Sequence, residues 1–426
     1  MHRDRDIRLL FTTRSIRLFA YGFLSIVLAL YLEAIGLSKV HIGLLLTLTL
    51  LGDAVVTLWI TTSADRIGRR RMLVLGALLM VLSGVVFLLT SNFTLLVVAA
   101  IVGVISPSGN EIGPFLSLEQ ASLSQKLPDG KRTKVFAWYN LAGSFSTALG
   151  ALAGGWLSQA LVAGGLSPLQ SYKAVLLGYA FAGGLIGLLF LLVSPAVEVA
   201  PAPAKATGPS DIPAGEGSSP APNPASRFGL HKSKKTVFRL SALFALDAFA
   251  GGFVIQSLIV YWFHLRFGMD TGLLGTLFFG ANLLAGISAL LASRIASKIG
   301  LIRTMVFTHL PSNVLLCLVP LMPFTWLAVV VLLLRFSISQ MDVPTRQSYT
   351  MAVVEPDERS AASGITAIAR SLGASVSPAL SGLLLSVAGL MSLPFLIGGG
   401  LKIVYDLLLY RSFVKSKVPD EAPLPK

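Results

Sequence analysis

Residues 42–71 read IGLLLTLTLLGDAVVTLWITTSADRIGRRR. The run from Ile42 to Ala64 is almost wholly apolar, and it stops at a dense polar turn, Asp65-Arg66-Ile67-Gly68-Arg69-Arg70-Arg71. A helix rises ~1.5 Å per residue, so a run of this length spans the ~30 Å hydrocarbon core of a bilayer. The apolar residues do not alternate with polar ones, which argues against a strand of a membrane barrel. This stretch therefore predicts one membrane-crossing helix with a basic end in water.

Outward from it, comparable runs recur along the chain. They predict twelve spans: 16–35, 42–64, 72–89, 93–112, 135–157, 174–193, 237–263, 272–291, 304–322, 326–343, 361–387 and 390–410. Composition agrees, with 54% hydrophobic and 13% charged residues among 426 and a mean hydropathy of +0.76. Such a chain is expected to be an all-α integral membrane protein, because only structures that satisfy their own backbone polar groups can cross lipid.

The net charge of +14 could point to nucleic acid, but its placement points elsewhere. With the amino terminus inside, 28 of the 34 Lys and Arg residues fall in cytoplasmic segments or within three residues of a span's cytoplasmic end. Lys39, Lys173 and Arg266 fall outside, and Arg335, Arg370 and Lys402 lie within spans. This bias predicts both termini in the cytoplasm, a multi-pass protein of the cell membrane, and no nucleic-acid partner. No small-residue cleavage site follows Leu32, so the first span reads as a helix and not a signal peptide. Cys317 is the lone cysteine and the five histidines are scattered, so neither a metal site nor a cofactor is expected.

Between Pro195 and Lys235 the apolar pattern gives way to Pro, Ala, Gly and Ser, which reads as a flexible linker. The expected organisation is residues 1–193 as one six-helix bundle, 194–236 as linker and 237–426 as a second bundle. The halves repeat. Ser297-Lys298-Ile299-Gly300-Leu301-Ile302-Arg303 echoes the basic turn around Gly68, at an offset of 232 residues. The fifth span carries Ser146, Gly150-Ala151 and Gly154-Gly155, and the eleventh carries Gly373, Ser377-Pro378 and Ser381-Gly382, offset by 227. Small residues four apart make a flat helix face that another backbone can approach closely. Such a face serves static packing or helices that must move against each other.

On these motifs the chain resembles the major facilitator superfamily over essentially its whole length. Asp65, Arg66, Gly68, Arg69, Arg70 and Arg71 match that family's loop signature after the second helix, with Thr61 in place of its leading glycine. The fifth-span pattern is similar to the G-x-x-x-G-P-x-x-G-G signature of proton-linked drug exporters, with Ser146 and Ala151 substituted. The resemblance implies two six-helix bundles that rock about a central cavity, a monomer acting on a small solute, and a latch at Asp65 and its arginines.

Ionisable residues inside a membrane cost several kcal/mol, so each needs a partner or a wet cavity. Asp53, Asp247, Arg335 and Arg370 lie near mid-span, and Glu111 sits in a Pro- and Gly-rich break at 107–114. Asp53, Glu111 and Asp247 are the candidates for proton uptake and release, since burial can bring a carboxyl into the physiological range. Asn140, Arg335, Asp342 and Arg370 are the candidates for the solute cavity. The opposing reading pairs Asp247 permanently with Arg335, and Lys402 with Asp406 four residues on. Proton-coupled export is the expected function; uptake or facilitated diffusion fits the same bundle, and a solute-sensing receptor is the alternative outside transport. No nucleophile, phosphate or metal signature speaks for an enzyme.

Overall fold

The computed structural model describes residues 2–111, 115–126, 129–194, 198, 230–355 and 357–414, and the side chains of 2–4, 65 and 124–134 lie outside this set. Long apolar runs leave the backbone no water to bond, so it closes on itself in helices. Among the described residues these are α1 (His2–Ser25), α2 (Leu28–Ala34), α3 (Lys39–Ile67), α4 (Arg69–Leu89), α5 (Phe93–Val102), α6 (Phe115–Lys126), α7 (Asp129–Ala163) and α8 (Pro168–Leu191). After the linker come α9 (Lys234–Gly252), α10 (Gln256–Phe267), α11 (Thr271–Ile299), α12 (Leu301–Leu318), α13 (Thr325–Phe336), α14 (Asp342–Ala352), α15 (Arg359–Ser386) and α16 (Leu393–Phe413). Of the expected linker, 195–197 and 199–229 lie outside the described residues.

These helices make twelve spans. Seven are the single helices α3, α4, α8, α11, α12, α15 and α16, and α9 with α10 makes an eighth. The pair α1–α2, bent by 44°, makes a ninth. The pairs α5–α6 and α13–α14, and the long α7, complete the set. Polar side chains cap the helices at one end of the bundle, where Ser38, Asn92, Ser167 and Asp270 each accept a backbone N–H. At the opposite end the tight turns use Gly68 and Gly300, with φ of 111° and 87°, a region that strains any residue with a Cβ.

The first, fourth, seventh and tenth spans are all interrupted, at 26–27, 103–111, 253–255 and 337–341 among the described residues. Each break frees backbone groups that cost several kcal/mol if left unpaired in lipid. At the fourth span they are taken up by protein: the Tyr179 hydroxyl donates to Val104 O, Thr147 Oγ1 to Gly109 O (3.3 Å), and Ser257 Oγ to Pro107 O (2.7 Å). Polarity is arranged inside out. Arg17, Glu119 and Asp406 are fully buried, while Leu89 is 81% and Phe181 73% exposed, as suits a surface solvated by acyl chains.

The small residues face two ways. Within the first half, a Cβ on Gly150 or Gly154 would run into the Phe19 or Phe23 carbonyl of α1. In the second half, Gly373 meets Ala245, and Ser377 and Ser381 donate to the carbonyls of Phe249 and Phe253 at 2.5 and 2.9 Å. The next positions round the helix cross between halves. A Cβ on Gly155 would lie 2.7 Å from Gly275 Cα, and one on Gly382 2.8 Å from Gly43 Cα, with Pro378 O also against Gly43. Ser146 lies half-buried one turn before Gly150.

Candidate functional site

Two clusters of charge sit inside the bundle, one in each half. In the first, α1 presents Thr13, Arg14 and Arg17 at helical spacing, α6 presents Glu119, α7 presents Tyr139 and Asn140, and the broken fourth span presents Glu111. Arg17 donates Nε to Glu111 (2.8 Å) and both Nη atoms to Glu119 (2.8 and 2.7 Å). Thr13 (3.3 Å) and Tyr139 (2.5 Å) also donate to Glu119, so this buried carboxylate has four donors. Arg14 lies 3.4 Å from Glu111, donates to Asn140 at 3.2 Å and stacks on Tyr139. A forked guanidinium against a carboxylate is the strongest arrangement available to such a pair.

Arg14, Arg17 and Glu119 were not among the residues the sequence singled out. The basic amino-terminal segment reads as a cytoplasmic flank, yet α1 begins at His2 and carries two of its arginines into the interior. The signal was available in the spacing Thr13-Arg14-Arg17-Tyr21, which puts four polar groups on one helix face. Asp53 lies half-buried on α3, within electrostatic reach of Tyr21 and Tyr179.

In the second half, Asp247 on α9 is held by Lys402 Nζ of α16 (2.5 Å) and Arg346 Nη1 of α14 (3.1 Å). Arg346 also reaches Asp342 at 3.1 Å. Asp406 bonds His309 Nδ1 and Asn313 Nδ2, both at 2.9 Å. These partners replace the expected ones: Asp247 pairs with Arg346 and Lys402 where Arg335 was anticipated, and Asp406 pairs with α12 where Lys402 was anticipated. Facing helices bring charges closer than one turn of the same helix does. Arg346, past the hydropathy limit of the tenth span but at helical spacing on one face with Arg335, Ser339 and Asp342, is 4% exposed inside α14. Arg335 and Arg370 are half-buried, Arg335 lying over the Phe336 ring at 4.9 Å.

The ion pairs of these clusters each stay within one half. The contacts that cross between halves are of another kind. They include Gln256 Nε2 to Ser25 Oγ (2.7 Å), Ser257 to Ser25 and Pro107, Thr47 to the eleventh-span backbone, Trp156 Nε1 to Thr276 (3.0 Å), Thr271 to Gln159 (3.4 Å) and Tyr261 to Glu33 (2.6 Å). They run from mid-bundle to the end that carries the Ser38, Ser167 and Asp270 caps.

At the opposite end lies the arginine-rich turn. Its Asp65 side chain is outside the described residues, so the latch expected of it has no geometry here. A different carboxylate serves the turn: Glu198 accepts the backbone N–H groups of Arg69 (2.6 Å) and Arg70 (3.2 Å), capping α4. Arg70 also donates to Leu191 O, and Arg66 and Arg71 are exposed. In the second half Glu358 plays the comparable part for α9, accepting the amides of His231, Lys232 and Ser233. Burial opposes its charge, yet the Ser233 hydroxyl and these amides pull its pKa down to about 2.

Beside it, His231 Nε2 lies 2.7 Å from Asp357 Oδ2. That hydrogen bond raises the His231 pKa above 6.5 and lowers the Asp357 pKa below 3.8. The pair's stabilisation is therefore full below His231's ordinary value and lost as pH rises through the raised one. At the acid end it is present above Asp357's ordinary value and lost as pH falls through the lowered one. It follows that the tie is strongest between pH 3.8 and 6.5. An NMR titration of His231 is expected to give a midpoint above 6.5 that drops in Asp357→Asn; equal, unshifted midpoints would rule the tie out.

The sequence pattern of the Major Facilitator Superfamily matches residues 10–378. The chain belongs to that superfamily. Along its length it is 35% identical to the uncharacterized membrane protein YJR124C of Saccharomyces cerevisiae, over 96% of this chain and 94% of that one. Among solved structures it is similar to a bacterial homolog of the human lysosomal transporter Spinster in an inward-facing, occupied conformation. That match has a TM-score of 0.71 and 14% identity, over 97% of this chain and 98% of the other. It is also similar to the nucleoside transporter NupG, with a TM-score of 0.69 and 13% identity over 97% and 100%. Members of the Major Facilitator Superfamily move small solutes across membranes and are not enzymes. The chain is thus a multi-pass membrane transporter whose two halves each carry a cluster of buried charge.

Proposed function

We propose that this Major Facilitator Superfamily protein exports a small solute by alternating access in exchange for protons, and that it works as a monomer. The observation that carries this is the division of bonding: ion pairs tie the interior of each half together, while single hydrogen bonds and bare glycine contacts join the halves. A single hydrogen bond contributes about 1 kcal/mol net, or about 1.5–3 kcal/mol to a carboxylate such as Glu33, whereas severing a buried ion pair costs about 3–5 kcal/mol. Rocking the halves apart then breaks the weak set and leaves the strong set intact. With the arginine-rich end in the cytoplasm, as its basic flank argues, the described contacts between the halves close the outer end.

Of the three proton-coupling candidates, Glu111 and Asp247 each have two cationic partners that a proton would have to displace. We assign the coupling to Asp53, half-buried on α3 within electrostatic reach of the Tyr21 and Tyr179 hydroxyls. The fifth-span resemblance to proton-linked exporters supports the direction. Vesicles with an imposed pH gradient test both points. Asp53→Asn is expected to lower gradient-driven movement about tenfold or more while exchange without a gradient continues. Full gradient dependence in Asp53→Asn would remove the assignment, and gradient-insensitive equilibration by the unaltered protein would make it a uniporter.

A further inference from the structure

Four cations and three carboxylates meet inside the second half: Arg335, Arg346, Arg370 and Lys402 against Asp247, Asp342 and Asp406. The carboxylates are already engaged. Arg346 and Lys402 hold Asp247, Arg346 holds Asp342, and His309 with Asn313 holds Asp406. Among the described residues this leaves Arg335 and Arg370 with no carboxylate within 4.0 Å.

Their Nε atoms are buried and meet no hydrogen-bond acceptor, and the same is true of Ser339 Oγ, in the break just past Arg335. The two arginines come from different helices, α13 and α15, yet both lie within electrostatic reach of Asp247 and Asp342. Arg370 also feels the like charge of Arg346. A guanidinium cannot shed its proton in a protein, so this excess cannot be relieved by titration. It needs an acceptor that carries negative charge. The first half offers the contrast, since both of its interior arginines face glutamates.

We propose that Arg335 and Arg370 form the anion-binding part of the transport site, and that the solute carries a carboxylate or phosphate group held by both guanidinium forks. Ser339 supplies a third donor from the unwound backbone of the tenth span. The planar fork suits these groups because it offers two parallel N–H donors to two oxygens. This inference rests on the transporter reading, but its binding step can be measured without transport.

Thermal melting of the full-length protein in detergent, titrated with benzoate, inorganic phosphate or uncharged benzamide, tests it. A saturable rise in midpoint with benzoate or phosphate is expected, with none from benzamide. Half-saturation should weaken about tenfold or more in Arg335→Gln and in Arg370→Gln. Arg335→Lys and Arg370→Lys keep the charge and lose the fork, so they should fall between and serve where a glutamine variant does not fold. No response to either anion, equal response to benzamide, or unchanged half-saturation in the variants overturns the anion site. Anion binding without any solute movement in vesicles would instead sink the transporter reading alone.

Discussion

Arg17→Met is expected to be the most damaging single substitution in the first half, lowering stability by about 3–5 kcal/mol, the usual cost of breaking a buried ion pair from one side. Arg17 is fully buried and touches both Glu111 and Glu119. Removing it leaves Glu119, itself fully buried, with only Thr13 and Tyr139 as donors. Two hydroxyls do not balance a carboxylate charge away from water. Thermal melting of detergent-purified protein, with size-exclusion profiles as a control for folding, measures the loss. Arg17→Met/Glu119→Gln should recover part of it, because the second change removes the charge that the first leaves exposed to the low-dielectric interior. A single variant as stable as the unaltered protein, or a double variant worse than the sum of its parts, would show that the cluster does not hold α1 to α6.

How much of this was legible in the sequence follows from what hydropathy senses. Run lengths, the repeated turn around Gly68 and Gly300, and the repeated small residues at 146–155 and 373–382 follow from lipid thickness and helical period, and these give the fold. Partnerships do not follow from them. Asp406 has Lys402 one turn away on its own helix, yet it bonds His309 and Asn313 on α12. A neighbouring helix packed face to face presents groups at bonding distance, and only the tertiary arrangement sets which groups those are. Likewise Arg14, Arg17 and Arg346 look like cytoplasmic charge when each helix is judged by its apolar core alone. Helices that project past that core carry polar residues into the interior when partners wait there. The breaks were readable where proline and glycine cluster, at 107–114, and hidden at 253–255 and 337–341, which hold neither.

The second large effect is expected at the seam between the halves. Gly154 and Gly155 are consecutive, so they point about 100° apart around α7. The first packs on Phe23 of its own half and the second on Gly275 of the other. Gly154→Leu should therefore destabilise the first half outright, since α1 and α7 pack backbone to backbone within it. Gly155→Leu should leave each half intact and prevent the halves from meeting at this end, as should Gly382→Leu against Gly43. A clash of this kind costs about 3 kcal/mol, which shifts a two-state equilibrium about a hundredfold toward the conformation open at the Ser38 end. Transport should then fall by a similar factor, because the proposed alternating access passes through the closed conformation in each cycle. In a Cys317→Ser background, Gln256→Cys lies at the closed seam and should react markedly faster from that end when Gly155 or Gly382 is leucine. Transport at normal rates by folded Gly155→Leu protein, with Gln256→Cys still protected, would mean that the seam stays shut and that solute takes another path.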